Sequence, residues 1–501
     1  DFMPHRDEHP TIVRIVEGVS GTVNMALNLR VRFDYGWVVP WVRHHDEGIS
    51  AIAGPEGLML RTPIGLHGKD MHTEARFRVG AGDRIPFVLT WYDPAKEPPP
   101  AVDAEELLDD CEATWKEWSD RCELEGDLVE EIKPSLTVLK GLTYQPTGGI
   151  VAAATTSLPE QLGGERNWDY RYCWLRDASM TMRALVEGGY LDEARSWRDW
   201  LLRTVAGDPN QLQIMYGVDG TRRLPEMQLP WLNGYEGSAP VRLGNGAADQ
   251  FQLDVPGELM DAMGVARMAG MEPDPHAWSL VQTVVDHIAK VWDQPDEGIW
   301  EVRGGAQNFV YSKVMAWVAA DRAARRAELV GDNAERGRYR SLADTIHADV
   351  MAKGFDSDRN TFVQAYGTKA LDASLLQIPI VGFLPGDDSR VAGTIDAIKQ
   401  ELVQDGFVAR YLTDDAASDG LAGTEGSFLI CSFWLIQAIA LQGNLDEARG
   451  LLEQMLSLRN DVGLLSEEYD TVNKRMLGNF PQAFSHIGLV NAALACEACT
   501  S

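Results

Sequence analysis

Carboxylates set among tryptophans and arginines recur in three short segments of this chain, and each combination could do chemistry. The first, NWDYRYCWLRD, gathers Trp168, Asp169, Arg171, Trp174, Arg176 and Asp177. Indole faces stack on the apolar face of a sugar ring, while Arg and Asp offer paired donors and acceptors to its hydroxyls. Alone, the segment also reads as surface ion pairs at a helix start with Asp177 as the N-cap. The density of aromatics beside charges favours a polar ligand site. The second, DEGIWEVRGG, wedges Glu301 between Trp300 and Val302. A carboxyl group in an apolar setting is hard to ionise, so its pKa rises, as a general acid near neutral pH requires. The third, LLSEEYD, places Glu467 and Glu468 side by side, and one of them could stay ionised and activate water. Taken singly, the last two segments read as solvated acidic turns. Together, two carboxylates on separate loops, aromatic platforms and an Arg–Asp pair are what cleavage of a glycosidic bond needs. One acid protonates the leaving oxygen and a second carboxylate serves the anomeric carbon.

Such groups meet only if the elements behind them bring distant loops together. From Met25 to Tyr35 apolar residues occupy every second position, the period of a half-buried strand, and Ala75 to Val79 and Phe87 to Trp91 alternate likewise. Residues 1–100 are therefore expected to form an antiparallel β-sandwich, closed by the stiff run Pro98 to Pro100. Residues 101–132 are expected to be a linker helix, with Leu107, Leu108, Cys111, Trp115, Trp118 and Cys122 near helical spacing. Beyond it the period becomes 3.6, and 133–501 is expected to be one helical body. Its helices should begin near residues 133, 178, 191, 256, 276, 306, 334, 369, 391, 427, 445 and 482. GYLDEARSW and GNLDEARGL, from Gly189 and Gly443, open two of them almost identically, with Asp and Glu in the first turn where the helix dipole favours them. Long loops rich in Trp, Tyr, Arg, Asp and Glu precede every second helix. In a ring of alternating inner and outer helices, such loops converge on one mouth.

Composition narrows the function classes. Lys and Arg number 45 against 75 Asp and Glu, a formal charge of −30 across 501 residues, with no basic stripe. That disfavours nucleic acid and anionic membrane surfaces as partners, leaving a small-molecule ligand and the possibility of self-association. No apolar run reaches membrane-spanning length, and the six cysteines do not make a disulfide scaffold. Cys496 and Cys499 form a lone CxxC without a second pair or a His cluster, so helix packing is favoured over zinc. No metal site and no phosphate-cradling glycine loop is evident, and no cofactor is expected. A cytoplasmic protein fits best, and because Asp1 falls inside strand-like sequence, residues upstream of it are expected.

The ordered set NWDYRYCWLRDAS, LGNGAADQFQLDVPGEL, GIWEVRG, FVARY and LLSEEYD resembles glycoside hydrolase family 15, over most of the chain. The resemblance implies an (α/α)6 barrel behind an N-terminal β-super-sandwich, and hydrolysis of α-glucosides with inversion. It implies Glu301 as general acid and Glu467 as general base, with Glu468 the neighbouring candidate. Trp174, Arg176 and Asp177 match a segment that holds the non-reducing glucose, Arg410 and Tyr411 match an R-Y pair beside the same subsite, and Trp168, Trp300 and Arg303 are further expected substrate contacts. Fungal-type glucoamylases of this family carry a second glutamate after the first, where this chain has Val302 and then Arg303. That departure makes the chain more similar to the family's trehalase-like branch, so α,α-trehalase activity is expected first and a glucoamylase- or glucodextranase-like activity second. A disaccharide phosphorylase would let phosphate replace the base, against which SEEYD argues. A catalytically silent glycan-binding protein would keep the aromatic platforms without working acids.

Overall fold

The protein is described by a computed structural model covering residues 1–4, 9–205, 211–271, 277–412, 420 and 425–498. It divides into two compact units, Asp1–Arg121 and Cys122–Ser501.

In the first unit, alternating apolar residues build two antiparallel sheets from β1 (Thr11–Glu17), β2 (Thr22–Leu29), β3 (Trp41–His45), β4 (Gly48–Ala53), β5 (Glu56–Arg61), β6 (His67–Lys69), β7 (His72–Gly80) and β8 (Arg84–Tyr92). One sheet runs β1-β8-β5-β4-β3 and the other β2-β7-β6. Register puts Met25 opposite Phe77 and Leu27 opposite Ala75, so one face of β2 and β7 is apolar. Met25, Leu27, Ala75 and Phe77 pack against Ile49, Leu60, Ile85 and Phe87 of the larger sheet, which makes the unit a sandwich with one core. The strand expected over Met25 to Tyr35 stops at Leu29, because Asp34 and Tyr35 adopt positive φ in a turn that pairs Phe33 with Val38. Helix α1 (Ala104–Ser119) is capped by Asp103, whose side chain accepts from the Glu105 and Glu106 amides. Its Ala104 and Leu107 pack with Val13 and Val88, so this helix belongs to the sheet unit.

The second unit holds twelve α-helices among the described residues: α2 (Val129–Gly141), α3 (Leu175–Glu187), α4 (Leu191–Thr204), α5 (Asp254–Met268), α6 (Ala277–Val291), α7 (Val310–Leu329), α8 (Asn333–Lys353), α9 (Gln377–Ile380), α10 (Ser389–Glu401), α11 (Leu429–Leu441), α12 (Leu445–Leu456) and α13 (Ala483–Ala498). Each lies within a few residues of a start read from periodicity except α9, expected from near 369. There Asp372 is extended and caps a 3-10 turn at Ala373–Leu376 instead, and Pro379 lacks the donor that a longer helix would need.

Packing follows the sequence order of alternate helices. α3 lies against α5, α5 against α7, α7 against α9, α9 against α11, α11 against α13, and α13 returns to α3. α5, α7, α11 and α13 are buried over most of their surfaces, as helices enclosed by others must be. α4 and α12, which carry the two LDEAR openings, pack one face only, through Ala194, Trp197 and Leu201 in one and Ala448, Leu452 and Met455 in the other.

The ring is sewn shut where its first and last segments meet. Ala153 bridges Gln482, the Ala483 amide donates to Ala152 O at 2.8 Å, and Thr155 Oγ1 donates to Asn479 Oδ1 at 2.8 Å. The Leu128 amide donates to Glu497 Oε1 at 2.8 Å. Among the described residues no helix is long and apolar enough to cross a membrane.

Candidate active site

The loops entering alternate helices of the second unit enclose a cleft of about 730 Å³. Its wall takes Trp168, Trp174, Arg176 and Asp177 from the segment entering α3, Asn245 and Ala247 from that entering α5, and Trp300, Glu301 and Arg303 from that entering α7. Arg410, Tyr411 and Phe428 precede or open α11, and Glu467, Gln482 and Phe484 precede or open α13. Of the eleven residues expected as acid, base or substrate contacts, ten thus share one surface. The eleventh, Glu468, does not reach it. Glu467 lines the cleft, whereas Glu468, which opens the short strand Glu468–Asp470 paired to Ser427–Phe428, is wholly buried away from it. Glu468 Oε2 accepts from the Gly426 amide at 2.8 Å.

Two aromatic residues four apart hold two of the cleft carboxylates, Glu467 and Glu301. Tyr170 donates its phenol O–H to Glu467 Oε1 at 2.6 Å, and Trp174 donates its indole N–H to Glu301 Oε1 at 2.6 Å. Their rings meet edge to face, centroids 5.4 Å apart, so each braces the other. Burial pushes the Tyr170 phenol well above its ordinary pKa, and the Glu467 charge adds to this, so it remains a donor. The other Glu467 oxygen, Oε2, makes no hydrogen bond among the described residues.

Glu301 sits at φ +57°, a left-handed conformation that an L-residue keeps only when its surroundings enforce it. A tight turn does so, with the Glu301 amide bonded to Gly298 O at 3.1 Å and the Val302 amide to Glu297 O at 3.2 Å. Burial raises the Glu301 pKa, and the opposing pull of Arg176 and the Trp174 N–H does not cancel it. Burial and the Glu160 charge carry Glu467 well above the usual carboxylate value, against the Tyr170 hydrogen bond and Arg410.

Arg176 donates to Asp177 Oδ1 at 2.8 Å and to Ile299 O at 2.8 Å, and its Nη1 lies 3.9 Å from Glu301 Oε1. Asp177 is therefore spent on its neighbour, and α3 begins without a side-chain cap. Trp300 is fixed by its N–H, shared at 2.9 Å between both oxygens of Asp372, and by Phe428 and Trp434 around its ring. Asp169 and Arg171 form their own two-pronged pair outside the cleft wall, with Asp169 also receiving the Gly244 amide.

An ionic cluster that the sequence did not reveal forms part of the cleft wall, which Glu160 and Arg166 line together with Arg410. Glu425 takes Arg410 with both oxygens and Arg166 at 3.4 Å, and Glu160 stands 3.4 Å from Arg410 on another side. Burial pushes Glu160 up to about 7, against the pull of Arg410. Glu160, Glu425 and Glu468 bring one oxygen each within 4.8 Å of the others, the spacing of a possible cation site. The Arg410 and Arg166 guanidiniums already supply positive charge there, which fits an ion-pair network that anchors Arg410. Cys496 is buried on α13, and Cys499 lies outside the described residues.

Residues 130–494 match the profile of glycosyl hydrolases family 15. The chain belongs to this family. It is 39% identical over 508 residues to a trehalase of Mycobacterium tuberculosis, covering 97% of this chain and 73% of that one. A trehalase of Mycolicibacterium smegmatis is 38% identical over 508 residues, covering 97% and 74%. Among solved structures, a bacterial glucoamylase complexed with acarbose superposes with a TM-score of 0.68 at 14% identity, covering 88% of this chain and 72% of that one. The family 15 chain described here is thus a glycoside hydrolase, helical with an N-terminal antiparallel sheet region.

Tyr170, Glu160, Arg166, Asp372 and Glu425 were not recognised as site residues from sequence. Tyr170 stood inside the quoted motif, two residues from Trp168 and four from Trp174, and that spacing was the available signal. Arg166 directly precedes the same motif, while Glu160, Asp372 and Glu425 are polar residues without a local pattern.

Proposed function

We propose that this chain is an inverting, exo-acting α-glucoside hydrolase whose substrate is α,α-trehalose. The observation that carries the mechanism is the Tyr170–Trp174 pair, which holds one carboxylate for each half of the reaction at a common cleft. Glu301 is the general acid. Burial raises its pKa, the direction a proton donor needs, and it delivers its proton to the bridging oxygen as positive charge grows on the glucosyl ring that water attacks. Glu467 is the general base: Tyr170 holds its carboxylate at the cleft wall through Oε1, and the carboxylate takes the proton of the attacking water. Water attacks the face opposite the departing oxygen, so the newly formed anomer has inverted configuration. The glucosyl unit rests against Trp174, with its hydroxyls on Arg176, Asp177 and Arg410.

The catalytic body is an (α/α)6 barrel with α3, α5, α7, α9, α11 and α13 as its inner wall and the intervening helices outside, a reading supported by the closed succession of neighbours. In domain terms, a β-sandwich over 1–100 and a helix region over 101–132 precede this barrel at 133–501. No metal or organic cofactor takes part in the proposed steps.

The choice of trehalose is supported by the curated relatives at 36–39% identity over nearly the whole chain. It is tested by following the anomeric NMR signals of purified protein with trehalose, maltose and isomaltose in parallel. Equal initial α- and β-glucose from trehalose is expected, since one half inverts and the other leaves unchanged. Turnover of maltose or isomaltose alone, with β-glucose first, would leave the mechanism and move the substrate to a glucan.

A further inference from the structure

The leaving side of the cleft is built around one carboxylate to which no role has been given. Glu226 accepts from Arg303 Nη2 at 2.9 Å and from the Gly246 amide at 3.0 Å, and Arg242 Nε lies 3.4 Å from its other oxygen. Both guanidinium carbons lie 4.4 Å from the Trp168 ring centroid. Trp168 and Arg303 line the cleft, and Arg303 stands two residues beyond Glu301. Val302 between them is buried and absent from the wall. Arg303 commits one nitrogen to Glu226, and its Nε and Nη1 make no hydrogen bond among the described residues.

We infer that Glu226 is a positioning residue that locks Arg303 and Trp168 into a clamp for the departing sugar, a neutral pyranose bound through hydroxyl acceptors. This rests on the reading of Glu301 as the acid, because the departing sugar lies on the acid's side of the scissile bond. The clamp supplies a fixed aromatic platform and a pair of unspent guanidinium donors, held by one carboxylate between two arginines. Trp168 held by two cations cannot swing aside for an unbranched aglycone, so the clamp contributes where the leaving group is a ring and nothing where it is a single atom.

The test compares kcat/KM on trehalose with kcat/KM on α-glucosyl fluoride, whose leaving atom is too small to touch the clamp, for wild type, Glu226→Gln and Arg303→Lys. Each variant is expected to lower the trehalose-to-fluoride ratio at least tenfold, mostly through KM. Arg303→Lys keeps the charge and loses the fork, so it reports even if Glu226→Gln does not fold. A ratio within twofold of wild type in the folded variants, whether through equal loss on both substrates or no loss, overturns the inference. Wild type that hydrolyses maltose and not trehalose refutes the substrate reading alone, and the ratio is then taken on maltose. Wild type inert to the fluoride and to every disaccharide overturns both.

Discussion

Removing the Tyr170 hydroxyl should move the acidic side of the activity profile and leave the fold in place. Tyr170→Phe keeps the ring that packs on Trp174 at 5.4 Å and deletes only the donor 2.6 Å from Glu467 Oε1. A hydrogen bond to a charged group is worth about 1.5–3 kcal/mol. At about 1.4 kcal/mol per pKa unit, its loss raises the Glu467 pKa by roughly one to two units. The sign follows from the base's role. Glu467 works ionised, so activity is present above its pKa and disappears as pH falls through it. Burial already holds that pKa above the usual value, and the hydrogen bond is one of the forces lowering it. In Tyr170→Phe the acidic limb of kcat/KM on trehalose should therefore shift upward by about one to two pH units, with activity falling roughly 10- to 100-fold below both limbs. Above both, most of the activity should return. Full pH profiles of kcat/KM, with thermal melting to verify folding, decide the matter. A uniform loss at every pH, or a limb that stays or moves down, would refute the assignment of Glu467 as the base oriented by Tyr170.

Glu301→Gln should lower kcat on trehalose by about 10²–10⁴-fold, the usual contribution of a positioned general acid, with folding intact by circular dichroism; a variant with wild-type kcat would exclude Glu301 as that acid. Gly478→Ala should disable and destabilise the protein together. Gly478 sits at φ +75°, and a Cβ there would lie 2.6 Å from both Cβ and Oε2 of Glu467. The backbone alone adds about 1–2 kcal/mol, visible as a lower Tm, and the displaced carboxylate should appear as a lower kcat. Glu425→Gln leaves two buried arginines without their shared counter-ion. It should destabilise by about 3–5 kcal/mol, read from urea unfolding, and an unchanged midpoint would show that Glu160 alone can hold Arg410.

Periodicity located eleven of the twelve helices described in the second unit because each buries a continuous apolar face, a property that neighbouring residues share and sequence displays directly. It failed at α9, where the turn is imposed by one capping aspartate and a proline. The cleft residues were legible where several chemical types crowd into one segment, as around Trp174 and Glu301. Glu226, Glu425 and Glu160 could not be found that way. Glu226 meets Arg303 across 77 residues and Glu160 meets Arg410 across 250, so what distinguishes them from other surface carboxylates is a partner that only folding supplies. The choice between Glu467 and Glu468 was of the same kind: two identical neighbours differ only in where the fold turns each carboxylate, Glu467 to Tyr170 and Glu468 to the Gly426 amide.

The seam between the first and last helical segments has a consequence for how an active molecule is born. Synthesis runs from Trp174 through Glu301 to Glu467, and the wall is finished by Gln482 and Phe484 at the start of α13. A ribosome carrying a chain that has reached α8 has already made the sugar platform and the proton donor. It has not made the residue that activates water, nor the strand that bridges back to Ala153. Helix pairs can form as they emerge, through contacts close in sequence, but the closing contacts join residue 128 to residue 497 and residue 153 to residue 482. Hydrolytic competence therefore arrives only once α13 has been made, and a nascent chain cannot consume sugar while its ring is open.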